Sequence, residues 1–227
     1  MAADLARLMA GQPAALLGGI DAESLSQFLA RCSIQTFHTG RQIIQQGAAL
    51  DQAWLVLRGA VEVSIMDLEG NCILAHLAQT GEVVGEVELL SGGLCIASCL
   101  ARPGTTVAGF DLALLRHFVP HEHLLRNLAC LFHERLSRDN RYHLVAMFYC
   151  SEDRIRSHLL SLTMPDQPEA TISQADLAAF SGCSRQTVNR TLAQLRSDGI
   201  VDVTRGRITV LDRDRLQQLG MGSKPRR

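Results

Sequence analysis

The chain has 227 residues, a hydrophobic share of 47% and a charged share of 20%, the composition of an ordinary globular protein with room for one large or two small domains. A formal net charge of -1 excludes a polycation that coats nucleic acid along its whole length, and no apolar run approaches the roughly 20 residues that span a bilayer. The N-terminus carries an acid at Asp4 and too short an apolar core for a secretory signal, so the expected compartment is the cytoplasm and no membrane partner is expected.

The charge is unevenly divided. Residues 1–150 hold 10 Arg against 14 Asp and Glu, while residues 151–227 hold 11 Arg and one Lys against 9. That fits an acidic body joined to a modestly basic binding module. The seven cysteines (32, 72, 95, 99, 130, 150 and 183) form no CxxC pair. An odd, scattered count reads as reduced thiols.

Residues 5–31 read as short helices, LARLMAG and then DAESLSQFLARC, with Asp21 as the cap of the second and Leu25, Phe28 and Leu29 on one face. From 34 to 111 short apolar segments alternate with glycine turns every 8–12 residues, the texture of an antiparallel sandwich or barrel. In AVEVSIM the alternation places Val61, Val63 and Ile65 on one face, and DLEGN reads as its hairpin loop. Residues 112–149 turn helical, with Pro120 in a first turn and Leu124, Leu125, Leu128, Leu131, Phe132 and Leu136 at spacings of three and four. About 28 residues without Gly or Pro make a rod of roughly 42 Å, and a helix that long in a small protein predicts a partner helix, hence a parallel homodimer. The polar run SRDNRYH (137–143) interrupts its apolar pattern. It either sets register in the dimer seam or lines a site for a polar effector.

A further helix (152–163) and a proline-bearing link, MPDQPE, lead into ISQADLAAFSG and CSRQTVNRTLAQLRSDG, two helices joined by a tight turn at Gly182. Ser173 and Ser184 are the expected caps. Val188, Leu192 and Leu195 form the buried stripe of the second helix, and Arg185, Gln186, Asn189 and Arg190 the exposed face near its start. Arg can donate two hydrogen bonds to guanine O6 and N7, and Gln or Asn can pair with adenine. The helix N-terminus with the Ser184 and Thr187 hydroxyls suits phosphates. IVDVTRGRITVLD then reads as a hairpin wing whose Arg205 and Arg207 reach for the DNA backbone.

On these residues the chain resembles the Crp/Fnr family of bacterial transcription regulators over nearly its whole length. GCSRQTVNRTLAQLRSDGIV is similar to that family's recognition helix, and LRGAVEVSIMDLEGNCILAHLAQTGEVVGE resembles its β-roll, with Gly59, Gly70, Gly81 and Gly85 at the turns. The resemblance implies an α+β protein. An N-terminal antiparallel β-roll (double-stranded β-helix, cyclic-nucleotide-binding-like) would occupy 1–119, a long dimerisation helix 120–150, and a C-terminal winged helix-turn-helix 151–227. It places Arg185, Gln186 and Arg190 at base contacts. Gln186 stands where members commonly carry Glu, which shifts the expected target from cytosine towards adenine. Cys183 occupies a position often held by Cys.

The resemblance also frames the sensor. Members that bind cyclic AMP use Gly-Glu followed about ten residues later by Arg-Ser or Arg-Thr. Gly85 and Glu86 are kept here, but Ile96–Ala97 holds the Arg-Ser place, and Asp139–Asn140 aligns with the Thr-Ser that meets the nucleotide base. A buried cyclic phosphate lacking its cation loses about 3–5 kcal/mol, so control by ordinary cyclic AMP is not expected, and Glu86 reads equally as a structural turn residue. An iron–sulfur centre would need clustered N-terminal cysteines, yet only Cys32 precedes residue 70. His76, His117, His121 and His123 are the candidates for haem or metal, and Cys95 with Cys99 for a thiol switch. On one strand those two would lie about 13 Å apart, too far to bond; buried small hydrophobes are the simpler account. No cofactor is named by the sequence.

The expected function is thus a homodimeric, sequence-specific regulator on a palindromic operator in double-stranded DNA. RNA polymerase would be touched through 164–169, and an unidentified small-molecule effector would bias the two recognition helices. The competing expectation is a small-molecule or redox-sensing module acting through protein contacts. No catalytic constellation is recognisable, so no enzyme is expected.

Overall fold

The computed structural model describes residues 15–70, 72–165 and 167–220; the expected helix LARLMAG lies outside them. Between Ser33 and Phe110 the glycine-punctuated segments become strands β1 (Ser33–Phe37), β2 (Arg41–Ile44), β3 (Ala53–Arg58), β4 (Ala60–Met66), β5 (Cys72–Gln79), β6 (Val83–Val84), β7 (Ser98–Ala101) and β8 (Thr105–Phe110). They pair antiparallel in two four-stranded sheets, ordered β1-β8-β3-β6 and β2-β7-β4-β5. The β4–β5 turn closes as the sequence suggests: the Glu69 amide donates to Asp67 Oδ1 at 2.9 Å, and Gly70 takes φ 85°.

The burial of β4 declines along the strand. Val61 is buried, Val63 half-buried and Ile65 exposed. The pairing register shifts between Val63 and Ser64 because Ala75 is an extra residue on β5, while β4 stays in unbroken register with β7, so Val61, Val63 and Ile65 keep one face and burial fades towards the strand's end.

Helices α1 (Ala22–Arg31), α2 (Glu86–Ser91), α3 (Leu112–Phe118) and the first half of α4 (His121–Phe148) complete the first unit. Asp21 caps α1 by accepting from the Ser24 amide at 2.8 Å. Phe28 packs on Phe110 and Phe118 with ring centroids 5.3 and 5.9 Å away, among Leu55, Leu115 and Leu124. Each fully buried side chain of this size contributes roughly 1.5–3 kcal/mol. A second cluster inside the roll gathers Trp54, Val56, Val61, Val107, Cys95 and Cys99.

The chain divides into compact units Met1–Arg135 and Leu136–Arg227, so the boundary falls inside α4. The second unit holds α5 (Ser151–Ser161), β9 (Glu169–Ala170), α6 (Gln174–Ser181), α7 (Arg185–Ser197), β10 (Val201–Thr204), β11 (Arg207–Val210) and α8 (Arg213–Gly220). Its core is Ile155, Leu159, Leu177, Val188, Leu192, Leu195, Ile200 and Leu216. Arg213 closes the end of α5 by donating to the Thr163 and Leu160 carbonyls at 3.1 and 2.9 Å, which satisfies carbonyls a helix end leaves open. The wing is three-stranded rather than a bare hairpin, because β9 adds antiparallel to β11. No helix among the described residues is long and apolar enough to cross a membrane.

Candidate functional site

The two-helix motif forms through local chemistry. Ser173 and Asp176 make a reciprocal capping box: Ser173 Oγ accepts from the Asp176 amide at 3.1 Å, and Asp176 Oδ2 accepts from the Ser173 amide at 3.4 Å. Gly182 ends α6 at φ 59°, where a side chain would be strained, and Cys183 N donates back to Ala178 O at 3.0 Å. The Cys183 thiol faces the Ser151 carbonyl at 3.6 Å. Ser184 then caps α7, accepting from the Thr187 amide at 3.1 Å, with the two hydroxyls 2.9 Å apart.

With Val188, Leu192 and Leu195 buried, α7 turns Arg185, Gln186, Asn189 and Arg190 to the exterior. These four differ in freedom. Arg185, Gln186 and Asn189 have no ion pair or side-chain hydrogen bond among the described residues, whereas Arg190 Nη2 donates to Glu152 Oε1 at 2.9 Å. The wing repeats the contrast. Arg205, at the β10–β11 turn beside Gly206, is unpaired among the described residues, whereas Arg207 meets Glu169 at 3.1 Å. Between α7 and the wing lies a concavity of about 760 Å³ lined by Asn189, Arg196, Gln174, Thr204 and Arg205 among others. Arg196 and Gln174 went unnoticed in the sequence. Arg196 sits one heptad after Asn189, on the same helix face, and that spacing was the available signal.

In the first unit Glu86 starts α2 and is fully buried. The preceding Gly85 has φ 83°, and a Cβ there would lie 2.6 Å from Leu50 Cδ2 and 2.8 Å from Ile44 Cδ1, so the turn into α2 admits glycine alone without rearrangement. Glu86 Oε1 meets Arg135 Nη1 at 2.6 Å, and Arg135 Nη2 donates to the Val83 carbonyl at 3.2 Å. The contact is a close charge pair rather than a well-aligned hydrogen bond, and Oε2 has no hydrogen-bond partner among the described residues. Burial pushes the Glu86 carboxyl up, against the opposing pull of Arg135. The buried Glu88 accepts from the Ile96 amide at 3.2 Å. Ile96 itself is 68% exposed and Ala97 half-buried, so neither brings a cation to the two acids. Arg135 is the residue that the sequence reading missed here. Asp139 and Asn140 are exposed on the second half of α4, with Arg138 Nε 3.7 Å from Asp139.

Of the remaining sensor candidates, the two roll cysteines are accounted for by packing. Cys95 precedes β7 instead of sharing a strand with Cys99, so the geometry of one continuous strand does not apply. Both thiols are buried, and burial, reinforced by Glu88, pushes Cys99 up to about 12; a thiol so far from ionising is a poor nucleophile at neutral pH. His76 Nε2 lies 3.0 Å from Glu82 Oε1. His117, His121 and His123 are exposed. Among the described residues no three His, Cys, Asp or Glu side chains gather as a metal site.

Comparison with known proteins agrees with this geometry. The model of the cyclic nucleotide-binding domain matches residues 34–121, and that of the Crp-like helix-turn-helix domain matches 153–219. The cyclic AMP receptor protein of Thermus thermophilus is 29% identical over 94% of this chain and 99% of its own length. The crystal structure of the Thermus thermophilus catabolite activator protein is 28% identical, with a TM-score of 0.50 over 92% of this chain and 99% of that one. FixK2 from Bradyrhizobium japonicum, 20% identical, has the same fold with a TM-score of 0.72 over 83% and 96%. A cyclic-nucleotide-binding-type roll, a long helix and a helix-turn-helix whose caps, turn and outward polar face are all in place identify the chain as a member of the Crp/Fnr family of DNA-binding transcription regulators.

Proposed function

We propose that the protein acts in the cytoplasm as a parallel homodimer joined along α4, reading a palindromic operator with half-sites about one helical turn apart, and that cyclic AMP does not control it. The observation that carries the DNA reading is the free, outward-facing set Arg185, Gln186 and Asn189 on a helix whose opposite face is anchored in the core. Ser184, Thr187 and the wing arginines, Arg205 foremost, serve the phosphates. Homodimerisation is supported by the apolar side chains that α4 leaves exposed: Leu125 (72%), Leu136 (63%) and Met147 (60%), with Phe132, Leu144 and Phe148. Phe132→Glu is expected to convert a dimer to a monomer by light scattering; an unchanged dimer would reject α4 as the seam.

Independence from cyclic AMP rests on the place where the phosphate would lie. Two buried carboxylates, Glu86 and Glu88, stand there with one cation, Arg135, already engaged, and residues 96 and 97 supply none. The name of the Thermus relative, a cyclic AMP receptor protein, favours the opposite reading. The single tryptophan, Trp54, is buried in the roll and reports on it. Titration with cyclic AMP should leave its fluorescence and the retention of operator DNA unchanged, and a saturable response in both would restore cyclic AMP as the effector. A different small molecule, held near Asp139 and Asn140, remains part of the proposal.

The segment Met164–Glu169 is the proposed contact for RNA polymerase, with Met164 63% exposed beside the 60% exposed Leu211. If the motif instead served protein contacts, DNA affinity would be nearly flat with salt, because counterion release is what makes phosphate binding steep.

A further inference from the structure

Glu152 lies in the first turn of α5, where its carboxyl is held below the usual range chiefly by its own backbone N–H, with further help from the Cys150 thiol and Arg190. A carboxylate at a helix start is electrostatically favoured and stays ionised. This fixed charge meets Arg190 through Nη2 alone, at 2.9 Å, with Arg190 73% and Glu152 37% exposed. Nε and Nη1 make no hydrogen bond among the described residues. One of the two Nη2 hydrogens therefore remains, and with Nε or Nη1 it completes a fork of the kind that reads guanine.

We propose that Glu152 is a specificity-determining residue: its carboxylate holds Arg190 by one corner, leaving the guanidinium available to a neutral base edge and withholding it from the phosphate backbone. The inference rests on the DNA reading given above. A base edge carries no net charge and adds its acceptors to the free fork without disturbing the pair. A phosphate brings a second anion to the same guanidinium. It must either displace Glu152 or lie beside it, and both are unfavourable. Wrong sequences, which offer Arg190 only phosphates, thus bear a penalty that the right sequence does not. The pair is exposed and screened by salt, so the penalty is small, but it acts on the ratio between specific and non-specific binding, which is what a regulator depends on in a genome full of competing sites.

The test uses the full-length protein and two duplexes: one selected by the wild type from a random-sequence pool, and one scrambled to the same length and composition. Glu152→Gln should tighten binding to the scrambled duplex by about two- to five-fold, steepen its salt slope by about one, and change binding to the selected duplex less. The two-duplex ratio is measured on one preparation, so a partly unfolded variant does not distort it. In an Arg190→Ala background the effect of Glu152→Gln should vanish. Asp214→Asn, which removes one negative charge from α8, should leave the ratio alone. An unchanged ratio in Glu152→Gln, an equal change in Asp214→Asn, or an effect that survives in the Arg190→Ala background would each overturn the proposal. Arg185→Ala in the same assay keeps the two readings apart: if it too leaves the selected duplex tightly bound, the DNA face itself has been misassigned.

Discussion

Both units are laced with arginine–carboxylate pairs, but among the described residues the surface set belongs to the second. In the first unit the pairs are sunk: Glu86 is fully buried against Arg135, and Glu62 with Arg102 is about three-quarters covered, 2.6 Å apart. The second unit has one sunken pair of its own, Arg156–Asp153 at 2.6 Å, but Arg190–Glu152, Arg196–Asp202 and Arg207–Glu169 stand at the surface. The same functional groups therefore carry different duties. A buried pair gains little net stability against the cost of its desolvation, but it is expensive to break by halves, because removing one partner strands a charge away from water. An exposed pair is worth about 0–1 kcal/mol. The first unit uses the Glu86–Arg135 pair as an internal fixture between α2 and α4, and the second uses its surface pairs to govern which groups its arginines can meet.

The contrast is tested most severely at Arg135. Arg135→Ala strands Glu86 beside Glu88, and the first unit should lose about 3–5 kcal/mol, read as an earlier urea transition of Trp54 fluorescence. Arg190→Ala should move stability by less than about 1 kcal/mol. The Arg135→Ala deficit should shrink in acid. Burial already raises the Glu86 carboxyl, and losing the cation raises it further. A group raised in the folded state stabilises below its unfolded pKa and loses that contribution as pH rises through the folded value. A deficit that grows as pH falls from 7 would mean that the pair is not what holds Glu86.

The second unit should respond to acid with the opposite sign. His158 is buried between Tyr142 and Phe180, ring centroids 4.8 and 4.6 Å away, and burial, with Arg154, lowers it from 6.5 to about 4. A histidine depressed in the folded state contributes stability above 6.5 that is lost as pH falls towards 4, on the order of 3 kcal/mol when fully developed. The two tyrosines, Tyr142 and Tyr149, both lie in this unit, so tyrosine near-ultraviolet dichroism isolates its unfolding from that of Trp54. His158→Phe keeps the ring stack and should flatten the pH dependence between 6.5 and 5; an unaltered slope would assign it to other groups.

The parts legible in the sequence and the parts that were not divide along the same physical line. Caps and turns are local. Asp21, Ser173, Ser184 and Gly182 act within four residues of their own positions, so both helices of the motif and their outward faces follow from spacing alone. The ion pairs are not local. Arg190 and Arg207 each find a carboxylate 38 residues away, and Arg135 reaches Glu86 only once the roll has closed. Nothing in the neighbouring residues announces these pairings. The exposure of Ile65 has the same origin, since how far the roll covers β4 is set by its partner strands, which one segment read alone does not name.

On DNA the comparison sharpens within α7 itself. Arg185 is free and Arg190 keeps an open fork beside Glu152, so if both read bases, Arg185→Ala and Arg190→Ala should each remove about 1–3 kcal/mol of specific binding. Gel-shift titration of the selected duplex decides this. A much smaller loss for Arg190→Ala would show that the pair with Glu152 hinders Arg190 at the base edge.

The smallest effect belongs to the wing. Arg205 sits unpaired at the turn while Arg207 is held by Glu169 at 3.1 Å. A phosphate contact is indifferent to sequence, so Arg205→Ala should weaken selected and scrambled duplexes alike and reduce the salt slope by about one. Arg207→Ala should change the slope less, since its charge is already compensated in the free protein and fewer counterions are released when it meets DNA. Glu169→Gln provides the reciprocal check: with the internal carboxylate gone, Arg207 should count in the slope as Arg205 does. If Arg207→Ala matched Arg205→Ala in the presence of Glu169, the exposed pair would be too weak to govern which cations reach the backbone, and the distinction between free and engaged arginines would hold at α7 but not at the wing.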